Sequence, residues 1–263
     1  MLQESTIKQL ALRVANAQDN ACSIEKLTIA YPDMTVTDSY RVQDALRELW
    51  IGRGERIIGM KAGLTSKAKM EQMGVHEPSF GILSNRMAVP ENGAANMAKL
   101  VHPRVEAEIA FVLGRDLRGR HCSIDEIINA TDYVIPALEI IDSRYEKFKF
   151  DLISVIADNS SSSLYVTGGR PLDPKSGMDL QTIGVVIEKN GEIQALGASA
   201  AVLGHPARAV QMLLEHLDDR GDYLAAGSLV LTGGITEAIP VHVGDVVSAR
   251  FQDMGSVSVR FTD

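Results

Sequence analysis

The chain has 263 residues, a 45% hydrophobic share, a 23% charged share and a formal net charge of −8. That length supports one large core, or one core with a small appendage. The acidic balance, without a basic run carrying interleaved aromatics, excludes a binder of nucleic-acid backbone, because no surplus of Lys and Arg is available to displace counterions.

Ile7, Leu10, Ala11 and Val14 recur at helical spacing, so residues 1–18 are expected to form an amphipathic helix. Val42, Ala45, Leu46, Leu49 and Trp50 signal a second helix, with Thr37 or Asp38 as its cap. These two helices define an N-terminal helical region over 1–55, and the pattern changes at Arg56, so 56–263 is expected to be the main domain. Ile57–Lys61 reads as a short strand, followed by a helix capped by Thr65 or Ser66 and ending at Gly74. Val105, Ala107, Ile109, Phe111 and Leu113 alternate strictly, which is strand periodicity. Ser123 and Glu126 form a capping-box pattern for a helix through Ala130, and Tyr133–Ile141 reads as a buried strand. Asn190-Gly191 between alternating apolar residues signals a hairpin. Pro206 starts a helix that Val210, Leu213, Leu214 and Leu217 continue to Gly221. Short strands follow at Ser228–Leu231, Ile239–Val243, Val246–Phe251 and Ser256–Phe261. Strands here outnumber helices and do not alternate with them, which predicts an α+β fold with an antiparallel or mixed sheet.

Cys22 and Cys122 are too few and too far apart for a disulfide framework or a Cys-rich zinc site, and they suit a reduced, cytoplasmic setting. The N-terminus lacks the apolar h-region of a signal peptide, and no apolar stretch reaches the length of a membrane span. Neither a membrane nor a nucleic acid is an expected partner. The sequence also lacks a nucleophile elbow, a phosphate-binding loop and a dinucleotide fingerprint.

The strongest chemical pattern begins at Glu106 and Glu108. Two apart on a strand, both carboxylates project from the face opposite Val105, Ala107 and Ile109. A solvated strand face accounts for them; so does a cation held between them. Glu139 lies in the apolar run 134–141, where an unpaired carboxylate is expensive to bury. Its partner is either a structural cation, with Arg144 close in sequence, or a hard metal ion shared with Glu106 and Glu108. Oxygen ligands in that number suit Mg²⁺ or Mn²⁺ rather than zinc. Lys61 ends an apolar strand, as a surface lysine or as a cation beside the metal. Gly63 and the amides entering the segment at Ser66 suit close approach of an anion. The loop 232–236 after a strand offers a similar cradle of N–H groups, and the polar run 158–163 either lines a pocket or forms a plain loop.

Six segments then resemble the fumarylacetoacetate hydrolase superfamily, in the order that family has them: Gly-Met-Lys-Ala-Gly-Leu-Thr-Ser-Lys-Ala at 59–68, His-Pro-Arg-Val-Glu-Ala-Glu-Ile at 102–109, Tyr-Val-Ile-Pro-Ala-Leu-Glu at 133–139, Ala-Asp-Asn at 157–159, Leu-Gly-His-Pro at 203–206 and Leu-Thr-Gly-Gly at 231–234. The N-terminal helices fit as well, so the resemblance covers nearly the whole chain. It implies a mixed β-sandwich roll, Mg²⁺ or Mn²⁺ on Glu106, Glu108 and Glu139, and Lys61 beside the substrate. Leu64, Ser66, Ser160, Thr232, Gly233 and Gly234 are the candidate substrate-binding residues.

Within that superfamily the chain looks like the hydratase and decarboxylase branch of meta-cleavage aromatic catabolism. The runs 142–146, 148–152 and 67–75 resemble the decarboxylases. The hydratases carry a Pro-Asp-aromatic-Gly motif where this chain has Pro78-Ser79-Phe80-Gly81. Adding water to carbon makes use of a positioned carboxyl group, whereas losing CO₂ needs no general base. Ser79 therefore favours decarboxylation of 2-oxohex-3-enedioate, a small 2-oxo dicarboxylate, to 2-hydroxypenta-2,4-dienoate. The alternatives are a hydratase of that product or of a longer analogue, and a non-catalytic subunit that stabilises a partner enzyme. A homo-oligomer is expected, and the resemblance implies association with the 2-hydroxypentadienoate hydratase of the next step.

Overall fold

The computed structural model describes residues 1–66, 70–71 and 78–263. Helix α1 spans Glu4–Asp19, α2 spans Leu27–Ala30 and α3 spans Val36–Gly52. The cap of α3 is Thr35 rather than Thr37 or Asp38. Thr35 Oγ1 accepts from the Asp38 amide and the Asp38 carboxylate accepts from the Thr35 amide, a capping box that puts the cap two residues before Thr37 and three before Asp38. The helix expected to end at Gly74 falls largely outside the described residues.

The strands form two sheets. The larger has the order β2-β1-β9-β4-β5-β6, with β10 also paired to β4. Its members are β1 (Ile57–Gly63), β2 (Ser79–Ser84), β4 (Pro103–Leu113), β5 (Thr131–Asp142), β6 (Ser162–Thr167), β9 (Leu229–Leu231) and β10 (Ile239–Pro240). The smaller sheet has the order β3-β12-β11-β7-β8, built from β3 (Ala94–Asn96), β7 (Gly184–Lys189), β8 (Glu192–Ala198), β11 (Val246–Phe251) and β12 (Gly255–Thr262). β7 and β8 form the hairpin around Asn190-Gly191, whose residues both take positive φ as that turn demands. β1 pairs with β9 in parallel and with β2 antiparallel, so the sheet is mixed as expected.

Among the described residues three longer helices follow: α4 (Ile124–Ala130), α5 (Leu152–Ala157) and α6 (Pro206–Asp218). The expected capping box of Ser123 and Glu126 opens α4, and Pro206 occupies the first turn of α6. The strand expected over Ile239–Val243 shrinks to Ile239–Pro240, and α2, β2, β3 and β6 were not signalled by periodicity.

Two apolar clusters flank the large sheet. In one, Val105, Ala107, Ile109 and Phe111 pack with the small sheet through Val247, Ala249, Val257 and Val259, and with α6 through Val210, Leu213 and Leu214. In the other, Ala110, Ala137 and Leu231 pack with Ile7, Leu10 and Val14 of α1 and with Val42, Leu46 and Trp50 of α3. The N-terminal helices thus share a core with the sheet. Both faces of β4 are buried, so the face carrying Glu106 and Glu108 is not a solvated strand face.

Candidate active site

Glu106 and Glu139 stand directly opposite each other in the antiparallel register of β4 and β5, and Glu108 faces Ala137. Strand alternation puts all three carboxylates on the face covered elsewhere by the N-terminal helices. Their exposures are 6% for Glu106 and 0% for Glu108 and Glu139. Each offers one carboxylate oxygen, and those oxygens lie within 4.8 Å of one another. The tertiary structure therefore brings together the three acids that the sequence singled out.

Lys61 reaches the same place along β1, two strands away across β9. Its side chain is 2% exposed, and Nζ lies 3.2 Å from Glu139 Oε2. It is not a surface lysine. Arg144 is not the partner of Glu139; it pairs instead with Asp158. Burial raises the Glu108 carboxyl well above the usual carboxylate range, and repulsion from Glu139 and Glu106 raises it further. Burial also raises Glu139, although the Lys61 ammonium pulls it the other way.

Two of the three carboxylates are underpaired. Among the described residues, Glu108 Oε1 and Glu139 Oε1 are buried without a hydrogen-bond partner. Buried oxygens in that condition are costly unless something positive meets them. A divalent cation among the three carboxylates would give both oxygens a positive partner. The donor set is all oxygen, which fits Mg²⁺ or Mn²⁺.

A cavity of about 970 Å³ opens over this cluster. Lys61 and Glu106 form part of its floor, and four of the candidate substrate-binding residues line it: Leu64, Ser66, Ser160 and Gly234. The other two serve the carboxylates and the sheet. The Gly233 amide donates to Glu108 Oε2 at 2.7 Å, and the Thr232 hydroxyl donates to the Ile109 carbonyl at 2.7 Å. Gly233 has φ +102°, and a Cβ there would overlap Thr65; a Cβ at Gly234 would come within 2.9 Å of Glu106 Oε1. The Gly-Gly cradle thus directs one N–H at a carboxylate rather than at an incoming anion.

Sequence reasoning missed several lining residues. Arg104 shares the strand face of Glu106 and Glu108 and lies with its guanidinium 4.4 Å from the Phe148 ring centroid. Its position two residues before Glu106 was the available signal. Lys149 and Phe150, noted only within the decarboxylase-like run 148–152, also line the cavity, as does Leu196, which nothing in its local sequence marks. Ser79, noted only as part of a motif, lies 2.5 Å from Ser160, hydroxyl to hydroxyl.

The family described as fumarylacetoacetate (FAA) hydrolase C-terminal matches residues 60–262. A 4-oxalocrotonate decarboxylase of Pseudomonas sp. (strain CF600) is 50% identical over 260 residues, covering 99% of this chain and 98% of the relative. A 2-keto-4-pentenoate hydratase of Paraburkholderia xenovorans is 38% identical, covering 97% and 94%. Among solved structures, 4-oxalocrotonate decarboxylase from Pseudomonas putida, complexed with magnesium and adipate, superposes with a TM-score of 0.97 at 49% identity over 99% of both chains.

Proposed function

Because the chain belongs to the fumarylacetoacetate hydrolase family, we propose that it is a magnesium-dependent carboxy-lyase that converts 4-oxalocrotonate (2-oxohex-3-enedioate) to 2-hydroxypenta-2,4-dienoate and CO₂. The observation that carries this reading is the buried convergence of Glu106, Glu108 and Glu139 beside the Lys61 ammonium. Residues 56–263 carry the reaction, and the helices of 1–55 close one face of the large sheet.

Glu106, Glu108 and Glu139 would hold the cation. Bound there, it supplies positive charge where negative charge grows on the 2-oxo oxygen of the substrate. Lys61 adds a fixed ammonium in a water-poor site, where such a charge acts strongly and needs no reorganisation. The substrate is a vinylogous β-keto acid. The bond to its distal carboxylate breaks, the electron pair shifts through the double bond to the 2-oxo oxygen, and that oxygen takes a proton. Arg104 and Lys149, at the wall of the cavity, attract a dianion to a chain whose net charge is −8. Phe148, Phe150 and Leu196 give the same wall apolar surface, which suits a carboxylate leaving as neutral CO₂.

Ser79 supports decarboxylation over hydration. Position 79, where the resemblance implies an acid in the hydratases, is a serine, and its hydroxyl lies 2.5 Å from that of Ser160. We place the enzyme in the cytoplasm and expect a homo-oligomer that associates with the hydratase of the next step; among the described residues no helix is long and apolar enough to cross a membrane.

Product identification by NMR after incubation with 4-oxalocrotonate and Mg²⁺ tests the reading. The expected result is 2-hydroxypenta-2,4-dienoate with equimolar CO₂. Rapid addition of water to 2-hydroxypenta-2,4-dienoate, without CO₂ release from the dioate, would move the chain to the hydratases.

A further inference from the structure

Between α5 and β6 the backbone makes one left-handed turn. Asn159, Ser160 and Ser161 have φ of 51°, 53° and 55°, and none is glycine. Three consecutive side-chain-bearing residues in that region are strained, and such strain persists only where the surroundings over-determine it. The turn also carries a wall of the cavity, since both Ser160 and Ser161 line it. The Ser160 hydroxyl lies 2.5 Å from that of Ser79. A Cβ placed on Gly63 would lie 2.8 Å from the Ser160 hydroxyl oxygen and 3.3 Å from Lys61 Nζ, so the turn delivers Ser160 next to the reacting centre.

What holds the turn is a side chain outside the cavity. Arg144 is 1% exposed. Its Nη2 donates to the Asp158 carbonyl just before the turn, and its Nη1 donates to the Ser162 carbonyl just after it, at 3.1 Å. Its Nε donates to the Asp158 carboxylate, and Nη1 also reaches the Asp142 carbonyl at the end of β5. One planar fork thus clamps both ends of the strained turn to the strand that carries Glu139. Asn159 pins the turn from the other side. Its side chain accepts from the Ile82 amide at 2.7 Å and donates to the Ile82 carbonyl at 2.9 Å.

We infer that Arg144 and Asn159 are positioning residues for the reaction: together they force the left-handed turn that aims Ser160 at the substrate beside Lys61. The inference rests on the proposed function of this cavity. Ser160 is the group that meets the substrate, and Arg144 acts only through it. A lysine at 144 keeps the charge opposite Asp158 but cannot bond both carbonyls and the carboxylate at once.

A double-mutant cycle tests this, using the full-length protein with Arg144→Lys, Ser160→Ala and the combination. Arg144→Lys is expected to lower kcat at least tenfold while the affinity for Mg²⁺ changes less than twofold. The double variant is expected to be no slower than Ser160→Ala alone, because a residue that works through Ser160 has nothing left to position. Unchanged kcat in folded Arg144→Lys, or losses that multiply in the double variant, would overturn the inference. If Arg144→Lys does not fold, Asn159→Gly replaces it in the cycle; it removes the bonds to Ile82 while glycine tolerates the left-handed φ. If the wild type does not decarboxylate 4-oxalocrotonate, the proposed function fails, and the cycle is read instead from adipate affinity with Mg²⁺ present. A wild type that neither turns over that substrate nor binds adipate overturns both.

Discussion

Gly81 lies directly opposite Lys61 in the register of β1 and β2. A Cβ on residue 81 would sit 2.7 Å from the Asn159 carbonyl oxygen and 3.2 Å from Lys61 Cγ. The Lys61 stem runs through a slot that only glycine leaves open, and backbone closes the far side. Gly81→Ala is therefore expected to displace the ammonium while leaving the three glutamates in place. A misplacement of about 1 Å at a reacting centre costs about 100-fold in rate. Steady-state kinetics should show kcat falling by about that factor with Mg²⁺ affinity retained; wild-type kcat in the variant would mean that the Lys61 position is not critical.

Lys61 sets its ammonium 3.2 Å from Glu139 Oε2, beside the three buried carboxylates. Lys61→Met should lower turnover by about 100-fold or more, in the range lost when one electrostatic stabiliser is removed. It should not weaken Mg²⁺, since the carboxylates lose their competing cation. Isothermal titration with Mg²⁺ beside the kinetics checks both halves, and weaker Mg²⁺ binding would show that Lys61 organises the metal site instead.

The Glu108 carboxyl is buried against two others and keeps one oxygen unpaired among the described residues. Glu108→Gln removes a repelling charge and preserves the shape that accepts the Gly233 amide. Metal-free protein should gain stability, with Tm rising by a few degrees for a gain of about 1 kcal/mol. The same variant should lose most of the Tm increase that Mg²⁺ gives the wild type, because ligand stabilisation follows affinity. Thermal melts with EDTA and with Mg²⁺ measure the two effects; a full Mg²⁺ shift in Glu108→Gln would remove this residue from the ligand set.

His216 of α6 packs its ring 4.3 Å from the Tyr40 ring and 5.0 Å from the Phe80 ring, centre to centre. Burial, with Arg220 nearby, lowers its pKa to about 4. The folded state thus disfavours the imidazolium. The stability this group contributes is fully present above its unfolded value of about 6.5 and is lost as pH falls through about 4, amounting to about 3 kcal/mol. Denaturation between pH 7 and pH 4 should show this slope in the wild type and a flatter one in His216→Phe. Equal slopes would assign the acid sensitivity to other groups.

The odd-numbered apolar face of β4 was legible because strand alternation is local: each residue two positions on faces the same way. The even-numbered face was not. Arg104, Glu106 and Glu108 read equally well as a wet surface, and the burial that makes them chemistry depends on α1 and α3 and on the loops around the cavity. The sequence did determine that Glu139 is buried and needs a partner, since seven apolar neighbours surround it. Whether that partner was Arg144, five residues away, or Lys61, seventy-eight residues away, was decided by strand pairing across β1, β9, β4 and β5. The polar run 158–163 was legible as a loop or pocket lining, but not its left-handed conformation, because it contains no glycine; bonds to Arg144 and Ile82 impose it. Side-chain chemistry and period were therefore written in the chain. Which charges meet was left to the pairing of distant strands, because an ion pair is selected by geometry in space and not by separation along the backbone.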